Sequence, residues 1–373
     1  MKHYGKKEYT KLYTIMLTVL VVIVFINLLQ GMGLKSELIE KVNEAKEQLR
    51  PAVIELKVIN SDCDDCFDIS SNVNSIKGGN VNITKEETLE ATEAQELISK
   101  YNIKKLPTII VTGELDKLSL SNFEESNEAL IFSHQTPPYV DLELNRVVGR
   151  ISATIITGES CEQCSDWSQF LAAMKQQGMN INAEKVIDSQ SSEARNLIVK
   201  HKITKLPTLV FSSEIRAYNN ELTQVLPRLG SFAADGTFAI TEVPLPYYDL
   251  STNSVRGLVE FIALTTEKCS NCYDVERINR GILANFNLIN YATKKVDIDS
   301  AEGKELISKY NIKRAPTFLL LGDLDSYPSL KRVWNSVGTV ESDKTYVFRD
   351  PDSRARPIYY DLTENKVVEG GKQ

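Results

Sequence analysis

Six cysteines fall as three Cys-x-x-Cys pairs, Cys63/Cys66, Cys161/Cys164 and Cys269/Cys272. Cysteines three apart are close enough to close a disulfide ring. A thiolate on the first can attack a foreign disulfide, and the second then resolves the mixed disulfide. That chemistry makes Cys63, Cys161 and Cys269 the candidate nucleophiles, with Cys66, Cys164 and Cys272 as resolving thiols. Two other uses stay open. Paired thiolates bind zinc or copper(I), and outside the cytoplasm such a pair also serves as a fixed structural disulfide.

The elements that must position the pairs are written three times. ELISKYNIKKLPT at 96–108, NLIVKHKITKLPT at 196–208 and ELISKYNIKRAPT at 305–317 align without gaps. From the first cysteine of each pair to the proline of this segment is 44, 46 and 47 residues. A third shared element, PYVDLELNRVVG at 138–149, PYYDLSTNSVRG at 246–257 and YYDLTENKVVEG at 359–370, closes each repeat. A period near 100 residues exceeds that of solenoid repeats, so each copy is long enough to hold its own core. The domains expected are 51–149, 150–257 and 258–373.

Within a copy, β-branched runs at 53–59, 151–157 and 258–264 predict a buried strand ending just before the cysteines. A helix follows from the cysteine turn (165–177 in the second copy). Then come a second strand, a second helix, the proline, a strand (109–111, 209–211, 318–321) and a later apolar run (129–132, 238–240, 346–348) that pairs with it. The Tyr-Asp-Leu elements read as hairpins joining domains, with Asn145, Asn253 and Asn365 near their turns.

A Cys-x-x-Cys after a strand, with x-Pro-Thr opening another strand some 45 residues on, resembles the thioredoxin-like superfamily, and the resemblance covers everything beyond residue 50. It implies an α/β fold of three tandem thioredoxin-like domains, each a central mixed sheet flanked by helices. It also implies that Pro107, Pro207 and Pro316 are cis and lie against the sulfurs. The preceding Leu106, Leu206 and Ala315 would hydrogen-bond an incoming substrate strand. Cis bonds are about 5–6% of X-Pro bonds, so this implication is sharp.

The chain departs from the usual thioredoxin pattern. Asp62, Ser160 and Lys268 stand where tryptophan is usual before the first cysteine. Asp-Asp, Glu-Gln and Ser-Asn replace Gly-Pro between the pair. Lys57, Ile155 and Ala263 occupy the place of a buried acid. A helix beginning at the first cysteine would stabilise its thiolate through unpaired N–H groups. Asp62, Asp64, Asp65 and Asp68 oppose that effect at Cys63, whereas Lys268 supports it at Cys269. The third pair is therefore expected to be the most oxidising and the first the least. Asp68, Asp166 and Asp274, two residues past each pair, read as complements of the helix dipole. His201, which replaces Tyr101 and Tyr310, reads as a packing residue.

The N-terminus differs in kind. Residues 12–29 run 18 positions without a charge, enough to cross a hydrocarbon core of about 30 Å if the ends snorkel. The expected organisation is a cytoplasmic tail (1–11), a single transmembrane anchor (12–30) and a charged stalk helix (31–50), with the domains outside the cytoplasm. A signal peptide cleaved near Gly31-Met32-Gly33 is the alternative.

The chain has 373 residues, 43 basic and 50 acidic. Setting aside the four lysines and one glutamate of residues 1–34 leaves 39 against 49, a net of −10. An acidic body excludes nucleic acid as a partner, because phosphate neutralisation dominates that affinity. With three histidines in the chain and none beside a cysteine pair, no cofactor or metal is expected. Protein thiols and disulfides are the expected partners, with an unidentified redox partner recycling the sites. Three classes of function follow: membrane-anchored thiol–disulfide exchange, thiolate metal handling, and a non-catalytic thioredoxin-like binding module.

Overall fold

The computed structural model describes residues 13–14, 16–25, 39–43, 46–47, 49–158, 161–349 and 358–369. The chain divides into two compact units, Met1–Val147 and Val148–Gln373. The first holds one repeat and the second holds two.

The first repeat runs β1 (Ala52–Ile59), α1 (Ser70–Lys77), β2 (Val81–Leu89), α2 (Gln95–Lys100), β3 (Lys105–Leu106), β4 (Thr108–Gly113), β5 (Phe123–Ser126), β6 (Ala129–Phe132), β7 (Tyr139–Asp141) and β8 (Arg146–Val148). The second runs β9 (Ile151–Thr157), α3 (Ser168–Gln176), β10 (Ile181–Asp188), α4 (Ser192–His201), β11 (Lys205–Leu206), β12 (Thr208–Phe211), α5 (Glu221–Leu229), β13 (Gly230–Phe232), β14 (Phe238–Ile240), β15 (Tyr247–Asp249) and β16 (Ser254–Arg256). The third runs β17 (Val259–Thr265), α6 (Val275–Ala284), β18 (Ala292–Asp297), α7 (Ala301–Tyr310), β19 (Arg314–Ala315), β20 (Thr317–Gly322), α8 (Pro328–Trp334), β21 (Gly338–Val340), β22 (Tyr346–Phe348), β23 (Tyr359–Asp361) and β24 (Lys366–Val368).

Each repeat builds one five-stranded mixed sheet, in the orders β2-β1-β4-β6-β5, β10-β9-β12-β14-β13 and β18-β17-β20-β22-β21. Only the first two strands of each repeat pair in parallel. The central strands are buried on both faces, which is why they read as near-continuous apolar runs. Along β4, Ile109 and Val111 join one core with Leu56 and Ile76, while Ile110 joins the opposite core with Ile59 and Tyr101. The same two-faced division recurs in the second repeat and in the third. Three repeated mixed sheets flanked by helices are consistent with tandem thioredoxin-like domains.

An acid at the end of the central strand fastens the chain entering each sheet. Gly113 and Gly322 turn that strand at φ +115° and +118°, where a Cβ would stand 2.4 Å from Val53 O and 2.2 Å from Leu258 O. Only glycine tolerates both the dihedral and the approach. The next residue, Glu114, accepts from Val53 N at 2.8 Å and from the Arg50 guanidinium, which holds its carboxyl down to about 2. Glu214 accepts from Gly149 N at 2.7 Å, and Asp323 from Gly257 N at 2.9 Å. The buried hydroxyls of Tyr218 and Tyr327 donate to the carbonyls of the same two glycines, at 2.7 and 2.8 Å.

The edge strands β5, β13 and β21, and the helices α5 and α8, are elements that periodicity did not predict. Of the expected anchor, residues 13–14 and 16–25 are helical and exposed, while 12, 15 and 26–30 lie outside the described residues. Among the described residues no helix is long and apolar enough to cross a membrane. The tail at 1–11 lies wholly outside the described residues. Of the stalk, 39–43, 46–47 and 49 are helical.

Candidate functional site

Each cysteine pair lies in a turn a few residues beyond the first strand of its repeat. Cys66 N donates to Cys63 O at 3.4 Å, Cys164 N to Cys161 O at 3.2 Å and Cys272 N to Cys269 O at 3.4 Å. The three pairs are disulfides, with Cα atoms 5.4, 5.3 and 5.3 Å apart. The sequence placed these turns at the start of a helix, and the structure corrects that. The helices begin at Ser70, Ser168 and Val275, past the second cysteine in every copy.

The physical reason is the aspartate two residues after each pair. Asp68 Oδ1 accepts from Ser70 N at 2.9 Å, Asp166 Oδ1 from Ser168 N at 2.9 Å, and Asp274, the N-cap of α6, from Arg277 N at 3.0 Å. Asp274 caps its helix through its side chain, whereas Asp68 and Asp166 precede the N-caps Ile69 and Trp167 and bond the first helical N–H, and all three place negative charge at the positive helix end. Consistently, the backbone N–H groups of Ser70 and Ser168 hold the Asp68 and Asp166 carboxyls below their ordinary range. One donor at each helix start therefore serves an aspartate, and the first cysteine stands at least six residues before the first helical residue and not at the helix start.

The surroundings of the pairs differ. Cys63 and Cys66 are both half-buried, and Asp65 Oδ1 stands 3.4 Å from Cys63 Sγ. Cys161 and Cys164 are likewise half-buried, and the preceding Ser160 lies outside the described residues. In the third repeat Cys269 is only 7% exposed and packs in a core with Ala315 and Tyr360, while Cys272, half-buried against the same core, is the more exposed residue. That order is opposite to the one expected of a nucleophile. Lys268 was to support the Cys269 thiolate, but its Nζ pairs with Asp299 Oδ1 at 2.8 Å and lies 5.6 Å from the centre of the Tyr360 ring. Asp299 raises the Lys268 pKa and takes up part of its charge.

The bonds Leu106–Pro107, Leu206–Pro207 and Ala315–Pro316 are cis, as the resemblance implies. Pro137–Pro138 and Leu245–Pro246 are also cis, which the sequence reading did not anticipate. Leu106, Leu206 and Ala315 are buried, and each is taken up by its own repeat's closing hairpin. Leu106 pairs with Val140, Leu206 with Tyr248 and Ala315 with Tyr360, all antiparallel. Bonds from Leu142 N to Lys104 O, Leu250 N to Thr204 O and Leu362 N to Lys313 O, at 2.8–2.9 Å, extend each pairing. In the first repeat the hairpin reaches the cysteine segment, where Phe67 N donates to Pro138 O at 2.7 Å. The hairpins turn where expected, with Asn145, Asn253 and Asn365 at φ +49°, +52° and +55°. They do more than join domains, because they form three-stranded sheets with the strands before the cis-prolines.

The carbonyl of each cis-proline is also fastened, by a residue that sequence reasoning missed. Gln135 Nε2 donates to Pro107 O at 3.0 Å, Trp167 Nε1 to Pro207 O at 2.9 Å and Tyr273 OH to Pro316 O at 3.1 Å. Trp167 and Tyr273 lie within three residues of the second cysteine, and an aromatic with a polar tip at that place was the available signal. In the second and third repeats this bond ties the cysteine segment to the proline loop. His201 is buried, and its Nε2 lies 3.1 Å from Thr237 Oγ1, in keeping with a packing role.

No family model and no curated protein matches the chain. Among solved structures it is similar to ERdj5 form II at 13% identity, over 73% of this chain and 38% of that one, with a TM-score of 0.15. It is similar to the N-terminal domain of alkylhydroperoxide reductase AhpF from Enterococcus faecalis at 14% identity, over 47% and 89%, TM-score 0.15. A protein disulfide oxidoreductase from Aeropyrum pernix matches at 16% identity over 46% and 77%, TM-score 0.14. The chain thus spans well under half of ERdj5.

Proposed function

We propose that this protein is a thiol–disulfide oxidoreductase acting on protein cysteines, held to a membrane by one N-terminal helix, with the tail cytoplasmic and the three repeats outside the cytoplasm. One observation carries the redox reading. Three Cys-x-x-Cys disulfides recur at the same place in three repeats, each in a repeat whose x-Pro-Thr segment holds a cis-proline. A substrate thiolate attacks a sulfur of the pair, forming a mixed disulfide and releasing the other cysteine as thiolate. A second substrate thiolate then attacks the substrate sulfur of the mixed disulfide and expels the cysteine bonded to it, leaving the substrate oxidised and the pair as two thiols. The reverse sequence reduces a substrate disulfide. The anchor rests on the uncharged run at 12–29 and the lysines before it.

A second reading, a non-catalytic binding module with structural disulfides, draws support from the occupied strand edges at Leu106, Leu206 and Ala315. Substrate trapping separates the two. Under the first reading, Cys66→Ser, Cys164→Ser or, in the third pair where Cys272 is the more accessible residue, Cys269→Ser accumulates protein mixed disulfides on the remaining cysteine. Absence of such adducts from all three variants, with normal function after replacing all six cysteines, establishes the second reading.

A further inference from the structure

We propose that the reduced first pair, together with Asp65, forms a binding site for a zinc-class divalent ion that the other two pairs lack. The ligand atoms of Cys63, Asp65 and Cys66 lie within 4.8 Å of one another, the one such group of three among the described residues. Two thiolates separated by two residues are a frequent zinc spacing. With Zn–S near 2.3 Å and Zn–O near 2.0–2.2 Å, tetrahedral geometry sets a sulfur and an oxygen ligand about 3.5 Å apart. Asp65 Oδ1 already stands 3.4 Å from Cys63 Sγ. The fourth position is left to water.

Charge points the same way. After reduction, two thiolates and the Asp65 carboxylate converge on a half-buried turn that also carries the exposed carboxylates of Asp62 and Asp64. A divalent cation relieves that repulsion. At the position of Asp65 the second pair has Gln163 and the third has Asn271, neutral amides that are far poorer ligands for such an ion. Glu162, the acid of the second pair, occupies the position of Asp64 and not of Asp65.

The site exists only in the reduced state, so the reduction must be accounted for. An external dithiol gives two electrons to the Cys63–Cys66 bond, becomes a disulfide itself and leaves two thiols. The incoming ion displaces their two protons to solvent. While bound, it holds both sulfurs and keeps the first pair from re-forming its disulfide.

The test is a titration of the full chain, reduced with dithiothreitol that is then removed without oxygen, using Co²⁺ alone and displacing it with Zn²⁺. Thiolate-to-cobalt charge transfer in the near ultraviolet counts sulfurs, and the visible bands report tetrahedral geometry. One ion per chain with two thiolates is expected. Asp65→Asn should weaken it at least tenfold, and Cys63→Ser with Cys66→Ser should abolish it. Serine at Cys161 and Cys164, or at Cys269 and Cys272, should leave it unchanged. Binding at all three pairs, no loss in Asp65→Asn, or cobalt spectra without thiolate transitions overturns the proposal. The readout is separate from exchange, because trapping of substrates can fail while cobalt binds, and the reverse.

Discussion

The first and third cysteine pairs share a turn, a disulfide and a cis-proline in the same segment of the repeat, yet their environments are opposed. Around the first, both sulfurs are half-buried and a carboxylate faces Cys63 at 3.4 Å. Around the third, Cys269 is sunk in an apolar core, and the nearby cation, Lys268, is paired with Asp299. One backbone arrangement thus carries two electrostatic settings and two degrees of access. The charge at the first pair comes from residues in the turn itself, whereas access and charge at the third are set by Ala315, Tyr360 and Asp299, which the fold brings to the turn.

The largest expected consequence concerns which sulfur is reached. In the third pair Cys272 is half-buried where Cys269 is buried, so an incoming thiol should form its mixed disulfide there at least tenfold more often than on Cys269. The first pair should show no such preference. Glutathione adducts located by peptide mass in Cys269→Ser and Cys272→Ser check this, and equal labelling would erase the contrast in access.

Next in size is the difference in potential. A carboxylate beside Cys63 disfavours its thiolate and hence the reduced state, which lowers the potential of the first pair. The third pair should stand at least 30 mV above the first, about 1.4 kcal/mol for a two-electron couple. Asp65→Asn should narrow the gap in metal-free buffer. A first pair more oxidising than the third would reverse the comparison.

A smaller effect is expected where the cysteine segment meets the proline loop. Tyr273→Phe removes the bond to Pro316 O and should cost about 1 kcal/mol in denaturant unfolding, with Trp167→Phe costing a similar amount in the second repeat. No loss would mean that these bonds do not hold the loop.

The smallest concerns the second repeat. Burial first, and then the charge of Lys200, hold the His201 pKa below its ordinary value. The folded state therefore binds fewer protons than the unfolded chain, so stability is full above about pH 6.5, the model-peptide value for histidine, and falls as pH drops below it. His201→Tyr, which restores the residue of the other repeats, should remove that dependence. In the third repeat Tyr310 OH donates to Asp343 at 2.8 Å, and Asp235 and Thr237 stand at the matching places for a tyrosine at 201. An unchanged pH profile in this variant would assign the dependence elsewhere.

Much of this was legible in the residues, because buried strands announce themselves through apolar runs. The strands at 151–157, 129–132, 238–240 and 346–348 lie where the sequence placed them. The cis bonds at Pro107, Pro207 and Pro316 are what the thioredoxin-like resemblance implied. The helix starts were misjudged because a motif-based expectation outweighed Asp68, Asp166 and Asp274, short acids whose bonds to the first-turn N–H groups are themselves a sequence signal. The edge strands β5, β13 and β21 are short and half-exposed, so they carry little periodic signal. The pairing of the closing hairpins with Leu106, Leu206 and Ala315 is a contact between segments more than thirty residues apart, and local pattern holds no information about it.

Thiol trapping with redox titration, read by peptide mass for each Cys-x-x-Cys, tests the central claim most directly. Exchange predicts that at least one pair shifts between disulfide and dithiol near the glutathione poise of its compartment, with the third pair reduced more readily than the first. All three pairs remaining oxidised below about −300 mV would mark them as structural disulfides and contradict it.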